Sequence, residues 1–451
     1  MQHDHVAIVG GGFSGALLAI NLLRHDGPHA TLIERRAETA RGIAYSTIHP
    51  EHVLNVRAAN MSALPDDPGH FLRWLERRAI GPHNGFVPRR AYGAYLDELL
   101  DEAVARGGSR LRVIRSDARD VELGAEGADV LLDDGTRIRC DRIALALGNL
   151  PPTAPPGLDL ERLPKGVHVA DPWSHSLTDG LQGGDTVLVI GTGLTMIDIA
   201  LLLDAERFDG RIIALSRRGL IPLTHADALP GTIRAERPSP GCLALLADIR
   251  SRSKAVDWRS AVDELRPFTQ SIWRAMPVAE RRRFLRHLRP WWDVHRHRIA
   301  PHVAERIAIM RREGRLEVIA GRPIGVAPLG DRSARVQLRR RGEDRIETVD
   351  VARIVNGTGP QGDLTRTREP LLINLVRRRL IRPDPLHIGI DVDQNSRAIA
   401  GDGSASDRLL VLGPMTRGNF WEIVAVPDIR QQVWSVARYL SAAHWVEGEG
   451  L

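Results

Sequence analysis

Cysteine is scarce in this chain. Cys140 and Cys242 are the only two in 451 residues, and no Cys-x-x-Cys occurs. That argues against a secreted disulfide scaffold and against dithiol redox chemistry. Aromatic residues make up only 4%, with no aromatic–basic stacking pattern, so nucleic acid is not an expected partner. No uninterrupted apolar run is long enough to span a bilayer. The apolar opening from Val6 to Leu23 is broken by glycines and lacks a basic n-region and a small-residue cleavage site. A cytoplasmic protein with no membrane partner is therefore expected. A Walker turn, a Gly-x-Ser-x-Gly elbow and a tidy zinc spacing are also missing, so neither a bound metal nor a side-chain nucleophile is expected.

What is present fits a two- or three-domain globular chain, with 43% hydrophobic and 26% charged residues. The formal charge of +6, mostly arginine, suits phosphate-bearing cofactors or anionic substrates. The strongest organisational feature is a repeated βαβ unit. His5 to Val9 reads as a buried parallel strand, followed by Gly10-x-Gly12-x-x-Gly15, a helix from Ala16, and a second strand ending at Glu34. The glycines permit a tight turn, close approach to a pyrophosphate and close helix–strand packing. The helix N-terminus would face the phosphates, and Glu34 would accept from a ribose diol. Phe13, Ser14 and Arg35 flank these positions. FAD, with free ribose hydroxyls, is the expected ligand.

After the proline-dense stretch 151–156 the pattern returns. Thr186 to Ile190 is a strand, Gly191-Thr192-Gly193-Leu194-Thr195-Met196 a second phosphate turn, and Arg211 to Leu215 the next strand. This strand runs into Ser216, Arg217 and Arg218 rather than an acid. Guanidinium groups suit a ribose 2′-phosphate, so NADPH is expected here. The fold class expected is α/β, with two Rossmann-like dinucleotide-binding domains. The FAD domain is discontinuous, 1–155 and 352–451, and the NADPH domain, 156–351, is inserted into it. The latter carries a helical insert at about 243–313, rich in Arg, Trp and His. A charged helix with its tryptophans in the core is the plainer reading of that insert.

Further candidates lie at strand ends. Gly148-Asn149 and Asn356-Gly357-Thr358-Gly359 finish strands with small residues that let the chain pass close to a cofactor. Gly413 to Glu422 joins the strand Leu409 to Leu412 to a long helix read from Trp421 to Leu440, with Asn419 as its N-cap and Pro427 as a kink. Asn55, Asn356, Asn419 and the Arg89–Arg90 region are candidates for lining the flavin site, the three asparagines as catalytic residues. Asn55, Val56, Gly413, Asn419 and Phe420 are also candidate cofactor contacts.

Several stretches resemble the bacterial FAD/NAD(P)-binding family. They are Arg41 to Ser46, Leu54 to Val56, Asp66 to Pro68 with Phe71 and Trp74, Phe86 to Gly93, Gly191 to Met196, Asp293 to Arg298 and Trp421 to Pro427. The resemblance spans nearly the whole chain. It implies an FAD- and NADPH-using oxidoreductase, a monooxygenase similar to class B flavin monooxygenases, some of which N-hydroxylate amines or amino acids. The linker Gly166 to Trp173 departs from the Baeyer–Villiger signature in spacing and lacks its Phe, although His168, Asp171 and Trp173 mark the interdomain connection. The partner expected is a small-molecule substrate, with a homodimer the possible assembly. The alternatives are a flavin reductase or dehydrogenase without oxygen insertion, and a non-catalytic flavin-binding redox switch.

Overall fold

A computed structural model of the chain describes residues 4–81, 85–172, 177–226 and 234–442. Trp173 lies outside them. The run His5–Val9 is apolar on both faces of the pleat, with its last four residues buried. Such a run suits a central parallel strand covered by helices on both sides. It lies in a six-stranded sheet of order Arg397–Ile399, Ala405–Val411, Arg142–Leu145, His5–Val9, His29–Glu34 and Leu111–Arg115. All neighbours are parallel except the first two strands. A small antiparallel meander, Ala118–Gly124, Gly127–Leu132 and Arg137–Cys140, completes this unit.

The second unit is a seven-stranded sheet. Its order is Ile346–Val351, Ser333–Arg340, Leu316–Leu329, Arg211–Ser216, Thr186–Ile190, Arg353–Asn356 and His168–Val169. Apolar clusters cover both of its faces, one around Met196–Leu203 and Val303–Met310, the other around Leu158, Val336 and Leu338. The insert is helical as expected, from Cys242–Arg252 to Pro301–Arg312. Its tryptophans divide: Trp273 is buried at 2% exposure, whereas Trp291 is 46% exposed.

Three differences from the sequence reading matter for the site. The strand at 353–356 was expected to return the chain to the first unit at 352. Instead it is hydrogen-bonded between His168–Val169 and Thr186–Ile190, so the crossing follows Asn356. A four-residue strand with two apolar residues, Ile354 and Val355, fits the interior of either sheet, and its pattern does not distinguish them. The last helix is Val426–Leu440, with Pro427 in its first turn, where a missing N–H costs nothing, so no kink arises. Its N-cap is Ala425, not Asn419, and Gly413–Thr416 forms a 3-10 turn. The strand foreseen at Leu316 to Ile319 runs on to Leu329, extended by pairing with Ser333–Arg340.

Candidate functional site

Both units make the same joint where the first strand meets its helix. Gly10 has φ +100° and Gly191 φ +125°, conformations that favour glycine. A side chain at Gly10 would overlap the Ala146 carbonyl, and one at Gly191 would overlap the Gly357 carbonyl. Each carbonyl follows the parallel strand paired to the first, Arg142–Leu145 in one unit and Arg353–Asn356 in the other. Gly15 packs directly on the Gly10 carbonyl, and a Cβ there would overlap it. Met196 takes the corresponding place in the second unit and is fully buried in its core. A Cβ on Gly193 would meet nothing within 4 Å, so this turn faces open space.

In the first unit a pocket brings together Gly10, Gly12, Phe13, Ser14, Glu34, Arg35, Gly148 and Asn149, all foreseen from the sequence. Glu34 closes the end of its strand. One of its oxygens accepts from the Gly11 N–H at 2.7 Å and the other from the Arg36 N–H at 2.9 Å. Arg35 reaches Glu369 at 2.7 Å across the pocket rim. Gly413 abuts this wall: its Cβ would stand 2.6 Å from Ser14 Oγ.

The remaining walls were not foreseen. Gly42 to Tyr45, Ser116 to Ala118, Leu371, Leu372, Pro414, Val424 and Ile429 also line the pocket. The stretch Arg41 to Ser46 had carried family resemblance, and Gly42 with φ +56° lies beside Gly12. Tyr45 meets Tyr92 edge-on at 4.7 Å, and burial pushes its phenol well above the ordinary range, so it stays neutral. Asn55, Val56, Asn419 and Phe420 are not among the residues lining this pocket. Asn356 is buried, and its amide is committed: Nδ2 donates to the Thr153 carbonyl at 3.0 Å, and Oδ1 accepts from Thr358 Oγ1 at 2.7 Å. Arg89 pairs with Asp198 of the second unit.

At the second turn Ser216 Oγ is held by Thr192 Oγ1 at 2.8 Å and by the Gly219 N–H at 3.0 Å. Arg217 is exposed and Arg218 half-buried. No ion pair holds either among the described residues, so both guanidiniums are free to meet an anion. Among those residues no three His, Cys, Asp or Glu side chains gather as a metal site. No helix there is long and apolar enough to cross a membrane.

Two histidines bridge the units. His52 Nε2 donates to the Asp198 carbonyl at 3.1 Å, and His225 Nε2 donates to the Asn55 carbonyl at 3.0 Å. Burial lowers the His52 imidazole and pushes His225 down to about 4, despite the hydrogen bond. Because the folded value lies below the ordinary 6.5, the unfolded chain takes the proton first. The stabilisation is therefore complete above 6.5, is lost as pH falls from there toward about 4, and then levels off. Denaturant midpoints measured above and below this window should differ less in His225→Gln than in the parent. Identical pH slopes would exclude the bridge as their source.

Residues 7–150 match the family model described as FAD-NAD(P)-binding. No curated protein sequence matches the chain. Among solved structures, the ornithine N-hydroxylase of Kutzneria sp. 744 is 16% identical, covers 98% of this chain and 99% of its own, and has a TM-score of 0.68. The L-lysine 6-monooxygenase of Pseudomonas syringae is 15% identical over 98% of this chain and 100% of that one, TM-score 0.67. Thioredoxin reductase of Lactococcus lactis is 12% identical over 98% and 99%, TM-score 0.55. The fold is thus that of the flavoproteins with two dinucleotide-binding domains, and its N-terminal unit is a FAD/NAD(P)-binding domain.

Proposed function

We propose that this chain is an FAD- and NADPH-dependent oxidoreductase of the monooxygenase type, acting on a small amine or amino acid in the cytoplasm. One observation carries the reading: two units share a joint, at Gly10 with Ala146 and at Gly191 with Gly357, yet their second strands end in opposite charge. Glu34 suits the free ribose hydroxyls of FAD. Arg217 and Arg218 suit the 2′-phosphate of NADPH. When bound, the two cofactors supply hydride transfer and oxygen activation.

The protein's part is to bind, orient and keep out water. Gly10 to Ser14 would hold the pyrophosphate of FAD, and Gly191 to Thr195 that of NADPH. Phe13, Tyr45 and Tyr92 form an aromatic wall with centroids 4.7–6.2 Å apart, which excludes water from one side of the first pocket. Val424 and Ile429 put the start of the helix Val426–Leu440 at the same pocket, where its dipole favours negative charge. The described residues offer no Cys pair for the thioredoxin-reductase reaction, because Cys140 and Cys242 are separately buried free thiols. That favours oxygen as electron acceptor over a disulfide.

The test is direct. The purified protein should be yellow, release FAD rather than FMN on denaturation, and bleach with NADPH. With a productive amine or amino acid, labelled dioxygen should enter the product. A colourless protein that gains no flavin spectrum with added FAD would refute the cofactor assignment. Coupled NADPH consumption without label in the product would favour a reductase. Nucleotide choice is separately checkable. A guanidinium–phosphate contact contributes about 1.5–3 kcal/mol, less where solvent screens it, so NADPH should be preferred over NADH by about tenfold to a hundredfold. Replacing Arg217 or Arg218 singly with Ala should raise the KM for NADPH in one of the two variants and leave that for NADH unmoved. Equal use of both nucleotides by the parent would return the arginines to an ordinary surface turn.

A further inference from the structure

The first pocket holds a cation that the nucleotide turns do not account for. Six of its lining residues are charged: Glu34, Arg35, Arg36, Arg41, Asp117 and Glu369. Arg35 and Arg36 follow Glu34 at the ribose end, and Arg35 is tied to Glu369. Arg41 lies elsewhere, on the segment that packs against the glycine turn. The Ala40 N–H donates to the Gly11 carbonyl at 2.6 Å. A Cβ on Gly12 would stand 3.2 Å from Gly42 Cα, and one on Gly42 would stand 3.6 Å from the Phe13 nitrogen. Arg41 thus sits between two residues that both touch the turn Gly10 to Ser14, and its own side chain lines the pocket.

The placement is held from several sides. Ala40 is buried and has φ +64° without being glycine, and Gly42 has φ +56°. Left-handed residues on both sides of Arg41 bend the chain there, and strain of this kind tends to occur at working sites. The side chain is fixed as well. Arg41 Nε donates to Asp97 Oδ2 at 2.7 Å, and Nη2 lies 2.5 Å from the same oxygen. Asp97 belongs to the helix Arg89–Gly107 and does not line the pocket. A Cβ on Gly93 of that helix would come within 3.2 Å of Arg41 Cδ, so the bare glycine makes room for the stem. Asp97 and, at longer range, Glu38 balance the charge, so the guanidinium is oriented without being left bare. Its Nη1 donates no hydrogen bond among the described residues, which leaves two N–H groups for a ligand. A pyrophosphate brings two negative charges. The N-terminus of the helix Phe13–Arg24 supplies only about half a positive charge, and its first turn has no basic side chain.

We propose that Arg41 is the side-chain counter-charge of the FAD pyrophosphate, brought to the glycine turn by the bend at Ala40–Gly42. This rests on the FAD part of the reading above and adds a residue to that site. A guanidinium gives charge-assisted hydrogen bonds to phosphate oxygens, which lysine reproduces only as a point charge.

FAD binding to the full chain stripped of flavin, followed by flavin fluorescence, tests it. Arg41→Gln should raise the Kd for FAD by about tenfold, a figure already reduced for the partial exposure of the side chain, and Arg41→Lys by less. Added salt should weaken FAD binding more steeply in the parent than in Arg41→Gln, because the missing contact is ionic. At saturating FAD the absorption spectrum of Arg41→Gln should match the parent's, since a pyrophosphate contact leaves the surroundings of the isoalloxazine alone. The flavin-free variant should still melt cooperatively and close to the parent. Unchanged FAD affinity in Arg41→Gln, parallel salt dependences, an Arg41→Lys no better than Arg41→Gln, a shifted flavin spectrum, or collapse of the flavin-free variant would each overturn the assignment. Bleaching of the parent's flavin by NADPH separates the two claims. A bleached parent whose Arg41→Gln variant holds FAD as tightly sinks this inference alone. A parent that depends on Arg41 for FAD but is not bleached sinks the oxidoreductase reading alone.

Discussion

Gly15→Ala is expected to yield a protein that no longer retains FAD. The methyl group would be driven into the Gly10 carbonyl oxygen, a backbone atom in the turn directly after the strand His5–Val9. Relief requires the helix Phe13–Arg24 to move off the strand His5–Val9, which opens the pyrophosphate turn. Overpacking a tight interior contact costs about 1–3 kcal/mol or more, and here the distorted atoms are those that would bind phosphate. Gly12→Ala makes a useful comparison. Its Cβ meets only Gly42, with the Cα at 3.2 Å, so this variant should keep more flavin than Gly15→Ala. The ratio of flavin absorbance to protein absorbance after purification ranks the two. Full flavin content in Gly15→Ala would mean that the joint is not what shapes the site.

The second large effect is expected at the seam between the units. Arg89 opens the helix Arg89–Gly107 and forks onto Asp198 of the helix Leu194–Ala205, with bonds of 2.8 and 3.2 Å. The two side chains are only 14% and 7% exposed. Breaking such a pair from one side leaves a buried charge uncompensated and costs about 3–5 kcal/mol. Asp198→Ala should therefore lower the denaturation midpoint sharply. Arg89→Met combined with Asp198→Leu should recover much of the loss, because two apolar groups leave no orphaned charge. A single variant within about 1 kcal/mol of the parent would show that solvent reaches the pair.

Neither Arg89–Asp198 nor the pocket's far wall was legible in the sequence, and for the same reason. The partners lie 109 residues apart, and no local pattern links them. By contrast, Gly10, Gly12 and Glu34 could be read because the turn that needs them is local: strand, glycines, helix and acid follow one another within one βαβ unit. The helix Pro370–Arg377 did carry a signal, a proline at its start followed by leucines on one face, yet only tertiary packing brings Leu371 and Leu372 to the pocket. Asn419 illustrates the opposite error. It is a good cap by residue type, but the helix begins seven residues later, where Pro427 can be accommodated. Arg217 and Arg218 were singled out by what is missing beside them, an acid at the strand end.

The chain crosses between the two units twice, and the crossings are laced together. Leu150 and Gln361 form an antiparallel bridge, the Gln361 side chain donates to Thr153 Oγ1 at 3.2 Å, and Asn356 donates to the Thr153 carbonyl. Mechanically this is a double splice, not a tether. With Arg89 on Asp198 and His225 on the Asn55 carbonyl, it fixes the second unit to the first at more than one place. It also carries redundancy: a protease that nicks the connector near Pro155 leaves the second unit still joined through the crossing after Asn356, so the nicked protein should migrate as one particle until it is denatured.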